Sequence, residues 1–200
     1  SYSKEGDFPS HKLISNLKNN QFLINTSRGE VVDYKNILKK SDAKLICDVW
    51  NNEPKINKEN IEATFIATPH IAGNTFESKV NALNLAINAL KDFFESNDLE
   101  NLNSKEKFLD IDDLISNSEF KKTQLPLKFI NHFINIRNIN ESFKKDLNLL
   151  NNNKHFPEYF QSIRKKNERL GFGDFILKSN RINSDDKEIL SLLGFKIQDG

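Results

Sequence analysis

The sequence has little of several residue types whose absence is informative. Its 200 residues include no methionine, one cysteine, seven glycines and five prolines. The lack of methionine, even at position 1, predicts that the chain is a fragment or a trimmed product. The single cysteine, Cys47, excludes a disulfide within the chain. It lies in the apolar run Leu45–Cys47 and is predicted to be a small buried hydrophobic residue, as expected for a protein of the reducing cytoplasm.

The sequence also lacks a long hydrophobic run and an excess of charge of either sign. No run reaches the roughly eighteen apolar residues of a membrane-spanning helix, and no secretory signal opens the chain. The 29 basic and 28 acidic residues leave a formal net charge of +1. This balance predicts neither a nucleic acid nor a membrane surface as partner. No metal cofactor is expected either.

The first half of the sequence alternates apolar runs with helical patterns. Parallel strands joined by right-handed crossovers are typical of this order. Asn74 and Glu77 have the spacing of a capping box and are predicted to begin a long amphipathic helix. The predicted elements are a helix from Ser10 to Lys18, strands 22–25, 43–49 and 64–68, a helix capped by Asp33, a helical turn at 57–61, and a long helix whose apolar face is Val80, Leu83, Leu85, Ile87, Leu90 and Phe94.

The composition changes near Ser96. Residues 96–107 are polar and predict a linker, so the expected domains are 1–95 and 108–200. The second is expected to be a small α+β module. Its predicted elements are strand 108–111, helices 125–137, 141–150 and 157–170, strand 175–177, a helix from Ser184 to Leu193, and strand 195–197.

Three polar segments follow the three predicted strands of the first domain. They are Asn25–Gly29, Asp48–Pro54 and Pro69–Gly73, and each follows a strand at its carboxyl end. Open α/β sheets bind ligands at that edge. The sequence therefore predicts a site containing Arg28, Asp48, Glu53 and His70.

These residue types suit the oxidation of a 2-hydroxy acid. Removing a hydride from a secondary alcohol requires a base for the hydroxyl proton, and histidine suits that role near neutral pH. A carboxylate such as Glu53 can fix the tautomer of His70 and favour the imidazolium. Arg28 can hold the substrate carboxylate through its planar guanidinium. Asp48 is placed to accept a hydrogen bond from a nicotinamide carboxamide or a ribose.

The three segments resemble the D-isomer-specific 2-hydroxyacid dehydrogenase family. Arg28, Glu53 and His70 match its catalytic set. The resemblance implies NAD as cofactor and the C-terminal half of a Rossmann-type, doubly wound parallel sheet as fold. The positions that match its nicotinamide-binding end are Thr26, Ser27, Arg28, Asp48 and Gly73.

Two further segments resemble the branch of this family that oxidises 4-phospho-D-erythronate in pyridoxal phosphate biosynthesis. One is His70–Lys79; the other is the tail containing 156–160, 163–166 and 192–195, which is similar to that branch's C-terminal dimerisation domain. The resemblance implies a phosphorylated 2-hydroxy acid as substrate and a homodimer. Asn74 stands where that branch has a substrate-contacting tyrosine. Arg164 and Arg169 are candidate partners for the substrate phosphate, brought toward the partner's cleft by the dimer, although a basic run on a helix is more often a solvated face.

The family's Gly-x-Gly-x-x-Gly turn, which places a pyrophosphate on a helix N-terminus, has no counterpart in this sequence. The chain alone is therefore expected to be inactive. Two alternatives stay open: a dehydrogenase acting on glycerate, lactate or 3-phosphoglycerate, and a truncated chain that serves only as a dimerisation module.

Overall fold

A computed structural model describes residues 17–18, 20–32, 34, 37, 44–112, 125–149, 156–179 and 181–198. The helix predicted at 10–18 lies almost wholly outside these residues. Of the helix predicted after Asp33, only Tyr34 and Ile37 are described, and both are helical. In chain order the elements are β1 (Phe22–Asn25), β2 (Lys44–Cys47), α1 (Lys58–Ala63), β3 (Ile66–Ala67), α2 (Phe76–Phe94), β4 (Lys107–Asp110), α3 (Leu125–Phe133), α4 (Ile136–Leu149), α5 (Phe156–Lys166), β5 (Phe175–Lys178), α6 (Ser184–Leu192) and β6 (Lys196–Gln198).

The chain forms two compact units, each assembled from two separate stretches of sequence. The first contains residues 1–72 and 136–167, and the second contains 73–135 and 168–200. This division differs from the predicted boundaries at 95 and 108. It places α2 in the second unit, and α4 and α5 in the first.

The first unit contains a three-stranded parallel sheet in the order β1-β2-β3. The strands occur where the sequence predicts them, but β2 and β3 are shorter than expected. Leu45, Cys47 and Ala67 are at most 2% exposed. The prediction of a buried Cys47 is therefore confirmed. Continuous apolar runs mark buried strands at β2 and β3, but β1 leaves Phe22 53% and Ile24 63% exposed, so the prediction that 22–25 is buried on both faces is wrong.

Side chains of α4 and α5 complete the core of the first unit. Phe143, Leu147, Phe156 and Phe160 lie in the same buried cluster as Trp50. Burying each such side chain contributes about 1.5–3 kcal/mol. This burial explains why these helices belong to the first unit, although residues 108–200 were predicted to form a separate module.

The second unit has its own parallel sheet in the order β4-β5-β6. Its core is a separate cluster that includes Phe129, Leu177, Leu190 and Phe195. The sequence predicts an α+β module here, whereas the strands are parallel and joined by crossovers, as in an α/β fold. The predicted helix 125–137 ends at Phe133, and α4 begins at Ile136.

Two details of the helix α2 differ from the sequence prediction. Its N-cap is Thr75, whose hydroxyl accepts from the Ser78 backbone N–H at 3.1 Å, so the predicted capping box of Asn74 and Glu77 is wrong. The Glu77 carboxylate instead accepts from the Gly173 backbone N–H at 3.1 Å. A Cβ at Gly173 would lie 2.2 Å from that carboxylate, so a larger residue there would displace the Glu77 side chain.

The predicted apolar face of α2 is mostly exposed. Of its residues only Val80 is buried, whereas Leu83 is 53% and Leu85 is 71% exposed. The amphipathic pattern thus predicts the helix correctly, but its apolar face is not buried as that pattern suggests. None of the helices in the described part of the chain is long and apolar enough to span a membrane.

Candidate functional site

Three loops follow the carboxyl ends of β1, β2 and β3. The register pairs Asn25 with Cys47, and Cys47 with Ala67, so the three strands end level with one another. The loops after these residues therefore leave the sheet at one edge, as the sequence predicts.

The buried side chain of Asn25 organises the loop after β1. Its Nδ2 donates to the Arg28 carbonyl at 2.9 Å, and its Oδ1 accepts from the Ser27 N–H at 3.1 Å and from the Ser27 hydroxyl at 3.0 Å. Such Asx turns position a loop through a short side chain. This role of Asn25 was not predicted, although an Asn two residues before a Ser at a strand end is a recognisable signal for it.

Gly29 brings the first loop against the second. A Cβ at Gly29 would lie 2.0 Å from the Trp50 carbonyl carbon and 2.3 Å from the Asn51 nitrogen. Both are backbone atoms that cannot move aside locally, so only glycine allows this approach. The packing of the two loops places the neighbouring Arg28 beside the loop that contains Glu53.

The predicted cofactor residues Thr26 and Ser27 lie exposed on the first loop with Arg28. The Arg28 guanidinium donates from Nη1 to the Ser27 carbonyl at 2.7 Å. A cation and two hydroxyl groups thus face solvent at the sheet edge. This arrangement suits the binding of an anion or of a polar cofactor group.

Glu53 and His70 form the pair that their residue types predict. The Glu53 Oε2 lies 2.6 Å from the His70 Nδ1, and the side chains are 20% and 21% exposed. The other carboxylate oxygen of Glu53 accepts from the Trp50 N–H at 2.7 Å, which fixes the carboxylate. With Nδ1 donating to the carboxylate, the neutral ring has Nε2 as its proton acceptor.

Asp48 lies beneath the His70 loop and is 4% exposed. Its Oδ1 accepts from the Thr68 hydroxyl at 2.6 Å and from the Ile71 N–H at 2.8 Å, while its Oδ2 accepts from the Ala72 N–H at 2.8 Å. The Asp48 backbone carbonyl accepts from the His70 N–H at 2.7 Å. Asp48 therefore holds the loop that presents His70, a role that the sequence does not predict.

Arg164 also reaches this loop. Its Nε donates to the His70 carbonyl oxygen at 3.0 Å, within the same chain. The sequence led us to expect Arg164 near a partner's cleft. The packing of α5 in the first unit places it beside His70 of its own chain.

The remaining predicted residues belong to the second unit. Gly73 has a left-handed φ of 72°, and Asn74 is partly buried. The Arg169 carbonyl accepts from the Phe76 N–H at 2.9 Å. A cavity of about 250 Å³ is lined by Gly73, Arg169 and the first turn of α2, among other residues.

Burial shifts the pKa of several groups in the first unit. It raises the pKa of the Cys47 thiol to about 12, so Cys47 is protonated and unreactive at neutral pH. Burial likewise raises the pKa of the Tyr34 phenol, whose hydroxyl donates to the Val49 carbonyl at 2.6 Å. It lowers the pKa of the Lys144 ammonium. Among the residues that the structure describes, no cluster of His, Cys, Asp and Glu could hold a metal ion.

Comparisons with known proteins match the first part of the chain. Residues 6–72 match the family described as D-isomer specific 2-hydroxyacid dehydrogenase, NAD binding domain. The matched residues include Thr26, Arg28, Asp48, Glu53 and His70. The predicted resemblance and the prediction of NAD as cofactor are therefore confirmed for this domain.

Individual relatives are similar over about half of the chain. Erythronate-4-phosphate dehydrogenase of Coxiella burnetii (strain RSA 331) is 41% identical over 101 residues, which is 48% of this chain and 27% of the relative. The enzyme of the same name from Idiomarina loihiensis is 39% identical over 101 residues, 46% of this chain and 26% of the relative. That of Bacteroides thetaiotaomicron is 37% identical over 102 residues, 46% and 29% respectively. Each match thus spans little more than a quarter of the relative.

Proposed function

We propose, on the premise that residues 6–72 belong to the NAD-binding domain of a D-isomer-specific 2-hydroxyacid dehydrogenase, that the protein oxidises 4-phospho-D-erythronate to 2-oxo-3-hydroxy-4-phosphobutanoate. This reaction would serve pyridoxal phosphate biosynthesis in the cytoplasm. The observation that supports catalysis most directly is the Glu53–His70 pair at 2.6 Å on the edge where the strands end. The names of the similar proteins support the choice of substrate.

In this proposal His70 is the general base. Its Nε2 accepts the proton of the C2 hydroxyl while the C–H bond at C2 breaks. The Glu53 carboxylate stabilises the imidazolium that forms, and the 2.7 Å bond from the Trp50 N–H keeps the carboxylate in place. The oxidised nicotinamide of NAD would supply the acceptor for the hydride that leaves C2.

Arg28 is proposed to pair with the substrate carboxylate. It lies exposed on the first loop, so a carboxylate can reach its guanidinium in place of the Ser27 carbonyl. An Arg–carboxylate pair is charge-assisted and can be bidentate.

Of the predicted cofactor residues, Thr26, Ser27 and Gly73 would contact the nicotinamide end of NAD. Asp48 would do so only through hydrogen bonds added to the three that its carboxylate already accepts.

The substrate has a second anionic group, its phosphate, and its proposed partner is Arg169. Arg164 is the alternative partner, which would require its positive charge rather than its Nε bond to the His70 carbonyl. Arg169 lines a cavity at the first turn of α2, and the lining of this cavity also includes Glu77. Asn74 is the proposed substrate contact at the position of the family's tyrosine. A homodimer formed through residues 108–200 is part of the same proposal.

The test is an activity assay on the longest native polypeptide that contains this sequence. His70→Asn should lower kcat by about 10²–10⁴-fold, the usual contribution of general acid–base catalysis. Arg28→Ala should raise KM and lower kcat together. His132→Asn, an exposed histidine in the last turn of α3, is the control. A His70→Asn enzyme with nearly normal kcat would refute the assignment.

Glu53→Gln should mainly change the pH dependence of turnover. A neutral amide cannot stabilise the imidazolium, so the pH dependence of turnover should differ from that of the wild type, and the maximal rate should fall. Comparing 4-phospho-D-erythronate with glycerate, lactate and 3-phosphoglycerate separates the proposed substrate from those of other family members. Absence of NAD binding and of turnover by that polypeptide would favour the dimerisation module.

A further inference from the structure

Every backbone polar group of His70 has a defined partner in the first unit. The N–H groups of His70, Ile71 and Ala72 all donate to Asp48, at 2.7, 2.8 and 2.8 Å. The carbonyl oxygen of His70 accepts from Arg164 Nε at 3.0 Å. The loop is therefore held on its amide side by a residue that follows β2, and on its carbonyl side by a residue of α5.

The backbone conformation of His70 needs contacts on both its N–H and its carbonyl side. Its φ is 54°, in the left-handed region that a non-glycine residue rarely adopts. Such a conformation persists only where surrounding contacts over-determine it. It sets the direction of the imidazole, and so the 2.6 Å contact of Nδ1 with Glu53 and the direction in which Nε2 points. A rotation of the peptide between His70 and Ile71 would disturb both.

Arg164 is well placed to prevent that rotation. The helix α5 is anchored by Phe156 and Phe160, which are 7% and 0% exposed. Arg164 itself is partly buried, whereas its neighbour Lys165 is exposed. The basic run on this helix is thus not uniform: Arg164 contacts the loop, and Lys165 lies at the surface.

We infer that Arg164 is a positioning residue, which orients the His70 ring for proton transfer by donating from Nε to the His70 carbonyl. The inference rests on the proposed function in that it assigns a purpose to the orientation of His70. It requires a donor at the Nε position and does not require a positive charge. This separates it from the pairing of Arg164 with a substrate phosphate, which requires the charge.

Three substitutions of Arg164 show whether the His70 loop depends on the hydrogen-bond donor at Nε or on the positive charge of the side chain. In Arg164→Gln the side-chain amide nitrogen is bonded to Cδ, as Nε is in arginine, so a donor is kept and the charge is lost. In Arg164→Lys the charge is kept, but a methylene group takes the place of Nε. Arg164→Met loses both. Lys165→Gln removes a positive charge from the next residue of the same helix and is the matched control.

The first measurement uses the 200-residue chain and needs no activity. Amide hydrogen exchange at Ile71 and Ala72 should be about tenfold faster in Arg164→Met and Arg164→Lys, because loss of the hydrogen bond to the His70 carbonyl lowers the cost of opening the loop. The NMR signal of the His70 Nδ1 proton should weaken in the same variants. Arg164→Gln and Lys165→Gln should resemble the wild type in both measurements. Thermal unfolding identifies a variant that does not fold. Among the folded variants, slower exchange in Arg164→Gln than in Arg164→Lys shows that the loop depends on the donor and not on the charge.

The second measurement is turnover by the longest native polypeptide that contains the sequence. We expect kcat to fall by about 10–100-fold in Arg164→Lys and Arg164→Met, with KM for the phosphorylated acid little changed, as for a small misplacement of a catalytic group. Normal behaviour of Arg164→Lys with a loss in Arg164→Gln would overturn the inference in favour of a charge effect. Equal results for all three variants, whether like the wild type or equally impaired, would also overturn it. If the exchange pattern holds but the wild type oxidises no hydroxy acid, the proposed function fails and the positioning role of Arg164 stands.

Discussion

Replacing Asp48 by asparagine tests whether this carboxylate supports the His70 loop. In its better orientation the asparagine side chain keeps one oxygen, which can accept from the Thr68 hydroxyl and the Ile71 N–H. Its amide group then faces the Ala72 N–H, which in the wild type lies 2.8 Å from an acceptor. One charge-assisted hydrogen bond is lost, and two donors are brought together.

The expected cost follows from these contacts. A hydrogen bond to a charged group contributes about 1.5–3 kcal/mol, and a buried donor without an acceptor costs a similar amount. The two remaining bonds also weaken, because a neutral amide oxygen is a poorer acceptor than a carboxylate. Asp48→Asn should therefore lower the free energy of unfolding of the first unit by about 3 kcal/mol.

Urea unfolding followed by tryptophan fluorescence measures this change. Trp50 is the single tryptophan of the sequence and lies in the core of the first unit, 1% exposed. With a urea dependence of about 2 kcal/mol per molar, the midpoint should fall by about 1.5 M. Glu141→Gln, which removes an exposed carboxylate from α4, is the control of equal charge change. A midpoint for Asp48→Asn within about 0.3 M of that control would refute the role assigned to Asp48.

Three further predictions concern the first unit. Gly29→Ala should destabilise it by about 3 kcal/mol or more, because the new Cβ would lie 2.0 Å from the Trp50 carbonyl carbon; an unchanged melting temperature would contradict the packing of the two loops. Burial raises the pKa of the Cys47 thiol to about 12 in the folded chain, whereas the unfolded thiol loses its proton near pH 9. Because ionisation then stabilises only the unfolded chain, the free energy of unfolding should fall as the pH rises between these values. The fall should be smaller in Cys47→Ala. Among the residues that the structure describes, β1 lies at one edge of its sheet and leaves Phe22 53% and Ile24 63% exposed, so the chain should self-associate. Ile24→Lys should reduce the mass seen by light scattering, and a wild type that stays monomeric at high concentration would count against this prediction.

Sequence patterns predicted the elements that depend on local order. The apolar runs at 22–25, 43–49 and 64–68 indicated three parallel strands, and each run contains the observed strand. Since parallel strands of one sheet end at a common edge, the residues that follow them could be assigned to one site from their positions in the sequence. The Glu53–His70 pair is the clearest result of that reasoning. The predicted helices that lie within the described residues were also found, with errors of a few residues at their ends.

Contacts between segments distant in sequence could not be predicted in this way. Phe143 and Phe160 lie in the core with Trp50, but nothing in the local pattern of α4 or α5 states which sheet these helices cover. Likewise α2 has an amphipathic pattern, yet most of its apolar face is exposed. The hydrophobic periodicity of a helix shows which of its faces can be buried. Which other element packs against that face depends on the fold of the whole chain.

The sequence by itself determined the class of fold of the first unit, the similarity of residues 6–72 to this family and the residues that follow the strand ends, because these depend on residue types and on their spacing along strands. Only the tertiary structure decided how His70 is held. Asp48 was expected to bind cofactor, and its carboxylate accepts three hydrogen bonds from its own chain. Arg164 was expected to reach a substrate phosphate, and it donates to the carbonyl of His70, 94 residues away in sequence. Hydrogen-bond partners at such separations are set by the packing of the elements that carry them, which local sequence does not specify.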